Sequence, residues 1–303
     1  MRVFVTGASG FIGSAIVPEL LDAGHEVIGL ARSDEAAAAL ASAGAEVHRG
    51  SLEDLDSLRR GAEASDGVIH TAFIHDFSQL GKSGLVDLRA IETMGEAFAG
   101  SGRPLVIASG IGLLKPGQVR TERDEPDPNG PGSHRVASEL TAKSLASRGV
   151  RSAIVRLAPS VHGEGDHGFV PALIDIARRK GLSGYIGDGS NHWAAVHRLD
   201  AARLFRLAVE NAPAGSVLHG VGDEGVPTRE IAAVIGRHLD VPVASISPDE
   251  AAEHFAWLAG FFGADMTASS ALTQQRLGWQ PQRAGLIADL EEGDYFQAAP
   301  ATA

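Results

Sequence analysis

The chain contains no cysteine, which excludes disulfides, thiolate metal sites and a cysteine nucleophile. Aromatic residues make up only 5% of its 303 positions, and just two of them, Tyr185 and Tyr295, are tyrosines. A core must therefore be built from Ala, Val, Leu and Ile, within an apolar fraction of 44%. There is no run of Lys or Arg, and a net charge of −12 argues against a nucleic-acid or anionic-membrane surface. No apolar stretch approaches the length of a membrane span, and the first residues read as a strand and turn rather than a signal peptide. These absences point to a soluble, cytoplasmic protein. His162, His167 and His192 are irregularly spaced and have no evident carboxylate partner, so no metal site is expected.

What is present is concentrated at the N-terminus. Thr6-Gly7-Ala8-Ser9-Gly10-Phe11-Ile12-Gly13 follows the apolar run Val3-Phe4-Val5 and opens a helical stretch. Strand, glycine turn and helix in that order are what a dinucleotide pyrophosphate requires. Gly7 permits the tight turn, Gly10 lets backbone amides approach the phosphates, and Gly13 lets helix and strand lie close. Short apolar strands then alternate with helices as far as Leu157, predicting a parallel sheet covered on both faces. Residues 115–133 break this pattern as a polar loop with Pro116, Pro126, Pro128 and Pro131, placed after a strand end where doubly wound folds bind ligands. The expected division is a nucleotide-binding domain over 1–160 plus about 194–221, with a smaller substrate-binding lobe from 161–193 and 222–303. Asp200 is expected to cap the helix that follows Val196.

Several further segments carry a family resemblance. Asp66-Gly67-Val68-Ile69-His70-Thr71-Ala72, Val155-Arg156-Leu157-Ala158-Pro159-Ser160-Val161-His162-Gly163, Ala195–Ala202 and Arg276–Pro281 join the glycine turn. Together they resemble the extended and atypical short-chain dehydrogenase/reductases, in the sugar-nucleotide epimerase/dehydratase branch. The resemblance runs along nearly the whole chain and implies a Rossmann-type doubly wound α/β fold holding a nicotinamide dinucleotide. It implies nucleotide contacts from Gly7, Ser9, Gly10, Phe11, Ile12, Gly13, Ser51, Leu52, Thr71, Ala72, Phe73, Ala158, Pro159 and Val161. It also implies a homodimer through helices near Leu85–Phe98 and Ser133–Arg148.

The second strand ends at Ala31, where NAD-preferring members carry an acid, and Arg32 and Ser33 follow. Arg32 and Ser33 can pair with a 2′-phosphate, so NADP(H) is favoured over NAD(H). The competing reading leaves Arg32 in solvent and brings Asp34 to the ribose.

The family's chemistry rests on a tyrosine and a lysine four residues apart on one helix. Here Arg135 and Glu139 take those places. Arginine is too basic to donate a proton at neutral pH, and a carboxylate cannot lower a neighbouring acid's pKa. Spaced at i and i+4, the two read more readily as a helix-surface salt bridge than as a catalytic pair. Ser109, at the end of the fifth strand, stands near the family's substrate-orienting hydroxyl. His162, His167, His134 and His75 are replacement proton donors with a suitable intrinsic pKa, and Tyr185 is a further one from the lobe. Phe73, Phe169, Trp193 and Phe255 either line an apolar pocket or pack the lobe, and Arg198 is either an anion clamp or a partner for Asp200. The expected function is an NADP(H)-dependent oxidoreductase acting on a small carbonyl or alcohol, with Ser109, His162, His167 and Arg135 as catalytic candidates. The alternatives are a non-catalytic NADP(H) sensor and an epimerase or dehydratase.

Overall fold

The computed structural model describes residues 1–297 apart from 77, 78, 116 and 131, so Pro116 and Pro131 of the predicted loop lie outside the described residues. The first half runs β1 (Arg2–Thr6), α1 (Gly13–Asp22), β2 (Glu26–Ala31), α2 (Asp34–Ser42), β3 (Glu46–Arg49) and α3 (Leu55–Glu63). It continues through β4 (Gly67–His70), α4 (Leu80–Ala97), β5 (Pro104–Gly110), α5 (Val136–Ser144) and β6 (Arg151–Leu157). Next come β7 (Ser160–His162), α6 (Phe169–Lys180), β8 (Ser183–Ile186), β9 (His192–His197), α7 (Arg198–Asn211) and β10 (Ser216–Gly220). The last stretch holds β11 (Asp223–Pro227), α8 (Thr228–Leu239), β12 (Val243–Ile246) and the short helices α9 (Ala251–Phe255), α10 (Ala259–Phe262), α11 (Ala271–Leu277) and α12 (Leu286–Glu292).

Seven of these strands form one parallel sheet in the order β10-β6-β5-β4-β1-β2-β3. Parallel pairing buries both faces, and the strands are accordingly near-continuous in Val, Ile, Leu and Ala. One face packs on Ile16, Leu20, Phe205 and Val209, and the other on Leu58, Ile91, Met94 and Phe98. The order reverses between β1 and β4, and the C-terminal ends around that switch form the cleft. Two smaller sheets, β11-β9-β7 and β12-β8, build the lobe with a second apolar cluster around Trp193, Phe255 and Phe262. Strand β9 serves both halves: Ala194 and Val196 join the core of the large sheet, while Trp193 and Ala195 join that of the lobe.

Local capping explains where the helices differ from expectation. Asp54 accepts from the Ser57 amide at 2.9 Å, so α3 begins at Leu55. The cap of α7 is His197, whose Nδ1 accepts from the Leu199 amide. Asp200 is not the cap: its carboxylate accepts from the amides of Gln282 and Arg283, pinning the loop before α12. The polar loop after β5 is stitched to the lobe. The Arg120 amide donates to the Thr267 carbonyl, and Glu122 accepts from the Thr273 hydroxyl at 2.7 Å.

Candidate active site

The glycine turn has the geometry its residues call for. Gly7 has φ +69°, and a Cβ there would stand 2.7 Å from the Ala72 amide nitrogen. A Cβ on Gly13 would stand 2.0 Å from the Gly7 carbonyl oxygen, so only glycine lets α1 begin so close to β1. Ser9 and Gly10 lie exposed at the tip, with Phe11 and Ile12 half-buried behind them. No side chain caps α1 at Ile12, and the Ser14 and Ala15 amides already donate to the Gly10 and Ile12 carbonyls, so an anion here would meet the amides ahead of them in the glycine turn. Thr71 donates from its hydroxyl to the Thr6 carbonyl at 2.8 Å and binds the end of β4 to β1 beneath this turn.

At the adenosine end, Arg32 is exposed and Ser33 caps α2 by accepting from the Ala36 amide at 3.2 Å. Asp34 is paired with Arg49 at 2.5 Å. Arg49 stands opposite Ala31 in the β2–β3 register, so Arg32 and Arg49 both flank the strand end where the second ribose would lie. The sequence reading missed Arg49, because nothing in a linear string shows that β3 ends beside β2. Ser51 accepts from the Glu53 amide and Leu52 packs on the core beneath α3. Ala158 and Pro159 form the short turn from β6 into β7, and Val161 pairs with Val196 of β9.

The helix position of the missing tyrosine and lysine is reorganised around two separate ion pairs. Arg135 and Glu139 do not form the expected surface salt bridge. The Arg135 Nη2 donates to the Ala108 carbonyl at 2.7 Å and faces the Asp87 carboxylate at 3.5 Å, while its guanidinium lies 4.4 Å over the Phe73 ring. Asp87 is fully buried and accepts from His70 Nε2 at 3.1 Å, and His70 Nδ1 is 2.7 Å from the Thr6 hydroxyl. Burial pushes the Asp87 carboxyl upward, but Arg135 and His70 outweigh it and hold it below the usual carboxylate range. Glu139, also buried, accepts from Arg156 Nη2 at 2.5 Å and Nε at 3.0 Å, and from the Ser109 hydroxyl at 2.6 Å. Ser109 therefore commits its proton to Glu139 and is left with a lone pair. Pairs such as Glu139–Arg156 and Asp87–Arg135 could not be read from the sequence, since their partners sit on different elements.

The histidines divide into two groups. His75 and His134 rest on Phe73 with ring centroids at 5.2 and 5.9 Å. Burial lowers the His75 pKa, and the nearby charges of Arg135, His167 and His134 lower it further. His167 is exposed, with its ring edge-on to Phe11 at 5.6 Å. Arg198 lies 5.4 Å over Phe11 and donates to the Glu164 carbonyl, not to Asp200. His162 is elsewhere. It is enclosed with Nδ1 2.8 Å from Asp289, and it lines a separate cavity of about 170 Å³ with His197, Asp223 and Arg283. Tyr185 packs against Gly189 inside the lobe. Phe169, Trp193 and Phe255 are lobe-core aromatics, with only Phe73 at the cleft. Among the described residues no group of three metal-ligating side chains comes together, and no helix is long and apolar enough to cross a membrane.

Comparison with known proteins agrees with this architecture. The family model of the NAD dependent epimerase/dehydratase family matches residues 3–219. An uncharacterized protein of Schizosaccharomyces pombe is 53% identical over 298 residues, covering 98% of this chain and 100% of that one. A UDP-glucose 4-epimerase of Streptomyces lividans is 29% identical over 99% of this chain and 97% of its own. Among solved structures, a dTDP-glucose 4,6-dehydratase from Streptomyces venezuelae, crystallised with NAD and TYD, superposes with a TM-score of 0.76 at 23% identity and 96% coverage of both chains. At that identity the likeness carries the fold. With the strand order, the glycine turn and the matched span together, this chain belongs to the NAD-dependent epimerase/dehydratase family.

Proposed function

We propose that the protein is an NADP(H)-dependent oxidoreductase that interconverts a small carbonyl compound and its alcohol, with a histidine in place of the missing tyrosine. The observation that carries this reading is the gathering of His75, His134 and Arg135 on Phe73 at the C-terminal edge of the sheet, with His167 acting on the same group. The glycine turn leading into α1 would hold the pyrophosphate through its backbone amides. Arg32 and Arg49 would hold a 2′-phosphate, and Asp34, already paired with Arg49, is a poor competitor for the ribose. When bound, the nucleotide supplies or accepts the hydride. The chain's own residues orient the substrate and move the proton. His167, exposed on the loop after β7, can be recharged from solvent and is the acid we assign to carbonyl reduction; His75, held toward its neutral form, suits the reverse direction.

The rearranged Arg135 and Glu139 would equally suit a nucleotide sensor that turns nothing over. An epimerase or dehydratase would need the same relocated proton transfer. The test separates these readings. NADPH should raise the melting temperature more than NADH, and Arg32→Ala should remove the difference. His167→Gln should then lower kcat for NADPH-dependent carbonyl reduction by about 100-fold while nucleotide affinity holds. No shift with either nucleotide would end the reading; tight binding with no turnover across a carbonyl panel would favour the sensor.

A further inference from the structure

Arg135 is held on three sides, by the Ala108 carbonyl, the Asp87 carboxylate and the Phe73 ring, yet 16% of its side chain remains exposed. The free edge therefore belongs to the cleft. A guanidinium keeps its proton at any physiological pH, so that edge can only donate hydrogen bonds and attract negative charge. With Nη2 committed to Ala108 and Asp87 and Nε enclosed, Nη1 is the donor left to a ligand, and a carboxylate gives it a charged acceptor that a lone carbonyl or hydroxyl does not. His75 and His134 share the same Phe73 and so stand beside the guanidinium. The neighbouring hydroxyl does not compete for the role, because Ser109 already donates its hydrogen bond to Glu139.

We infer that the substrate carries a carboxylate beside its reacting carbon, as in a 2-oxo or 2-hydroxy acid, and that Arg135 binds that carboxylate. This rests on the oxidoreductase reading above and adds the class of substrate. It gives Arg135 a task that fits its chemistry: it anchors the end of the substrate that does not react. The imidazoles are left to face the oxygen that does. Asp87 and His70, buried behind it, act as positioning residues that set the guanidinium plane.

The experiment uses two unreactive probes on the whole chain: oxamate, which carries the carboxylate, and oxamide, its uncharged counterpart. Calorimetric titration is done with the protein saturated in NADP⁺ and again without nucleotide. Oxamate should bind roughly tenfold or more tightly than oxamide. Arg135→Gln should weaken oxamate by about 30-fold, and Arg135→Lys should recover only part of the loss, while NADP⁺ affinity stays at the native value. The comparison of the two probes on the native protein does not depend on how either variant folds. Equal binding of oxamate and oxamide, no binding of oxamate, or undiminished binding to Arg135→Gln would each overturn the inference. Failure of the oxidoreductase reading shows separately, as absent NADP⁺ binding or as binding without turnover across the carbonyl panel, and the titrations without nucleotide still decide the carboxylate question.

Discussion

His219 is fully buried, with Nδ1 donating to the Ser269 carbonyl at 2.9 Å and its backbone amide donating to Thr273. Burial is the main force on its pKa; Glu122 opposes it, Arg156 adds to it, and the result is a value down to about 4. Against an unfolded value of 6.5, the unfolded chain binds the proton more readily throughout the interval between them. The neutral ring's contribution to stability is complete above pH 6.5 and is lost as the pH falls toward 4. Urea unfolding between pH 7.5 and 4.5 should show this loss with a slope of up to about 1.4 kcal/mol per pH unit, and His219→Gln should flatten it. An unchanged slope would remove His219 from the account. At this scale the glycines were legible in the sequence, because Gly7 takes the positive φ of a tight turn and Gly13 meets the Gly7 carbonyl just before it in the chain. The pairings were not: Glu139 found Arg156 on β6, and Arg135 found Asp87 on α4, neither at the helical spacing that suggested a mutual salt bridge. His162 was read as a proton donor from its place in a motif, and its burial against Asp289 appears only once α12 is folded over it.

Among the elements, the C-terminal turn acts on the cleft through one side chain. The Tyr295 hydroxyl donates to Asp166 at 3.0 Å and accepts from the Gly163 amide at 3.0 Å, clasping both ends of the loop that carries His167. Burial, with Asp166 and Asp289 close by, pushes the phenol far above its usual pKa, so it stays protonated and keeps its role as donor. Tyr295→Phe should cost about 1–3 kcal/mol in urea unfolding and should raise KM more than it lowers kcat, because the loop loses its anchor while the imidazole remains. A change in kcat alone would place Tyr295 in the chemistry instead. Long periodic elements are readable from sequence: α8, Thr228–Leu239, buries Ile231, Ala232, Val234 and Ile235 at helical spacing. The lobe strands β7, β8, β11 and β12 have three to five residues each, too few for alternation to show. After α9 the helical run is broken at Ala256, whose φ of +51° no helix accommodates, a turn that nothing in the local composition signals.

Seen as a whole molecule, the two helices of the expected dimer interface present exposed apolar side chains, Leu85 on α4 at 57% and Leu140 on α5 at 47%. A two-fold arrangement would cover both. Sedimentation equilibrium should find a dimer, and Leu140→Glu should shift it toward monomer with little change in melting temperature at high dilution; a monomeric native protein would remove this expectation. The doubly wound sheet and the glycine-turn end of the cleft were legible because alternating strand and helix leave few topologies. The substrate end depends on a lobe assembled from distant segments, and there the sequence offered only candidates.

One feature of the lobe bears on how the cleft exchanges its contents. Neighbouring residues of β9 are buried in opposite directions, two into each half of the protein. A jaw hinged between the halves would have to drag this strand out of one packed interior every time it opened. The expected behaviour is that of a fixed vessel with a soft lip, whose ligands would enter at the rim, where loops and surface side chains yield most readily.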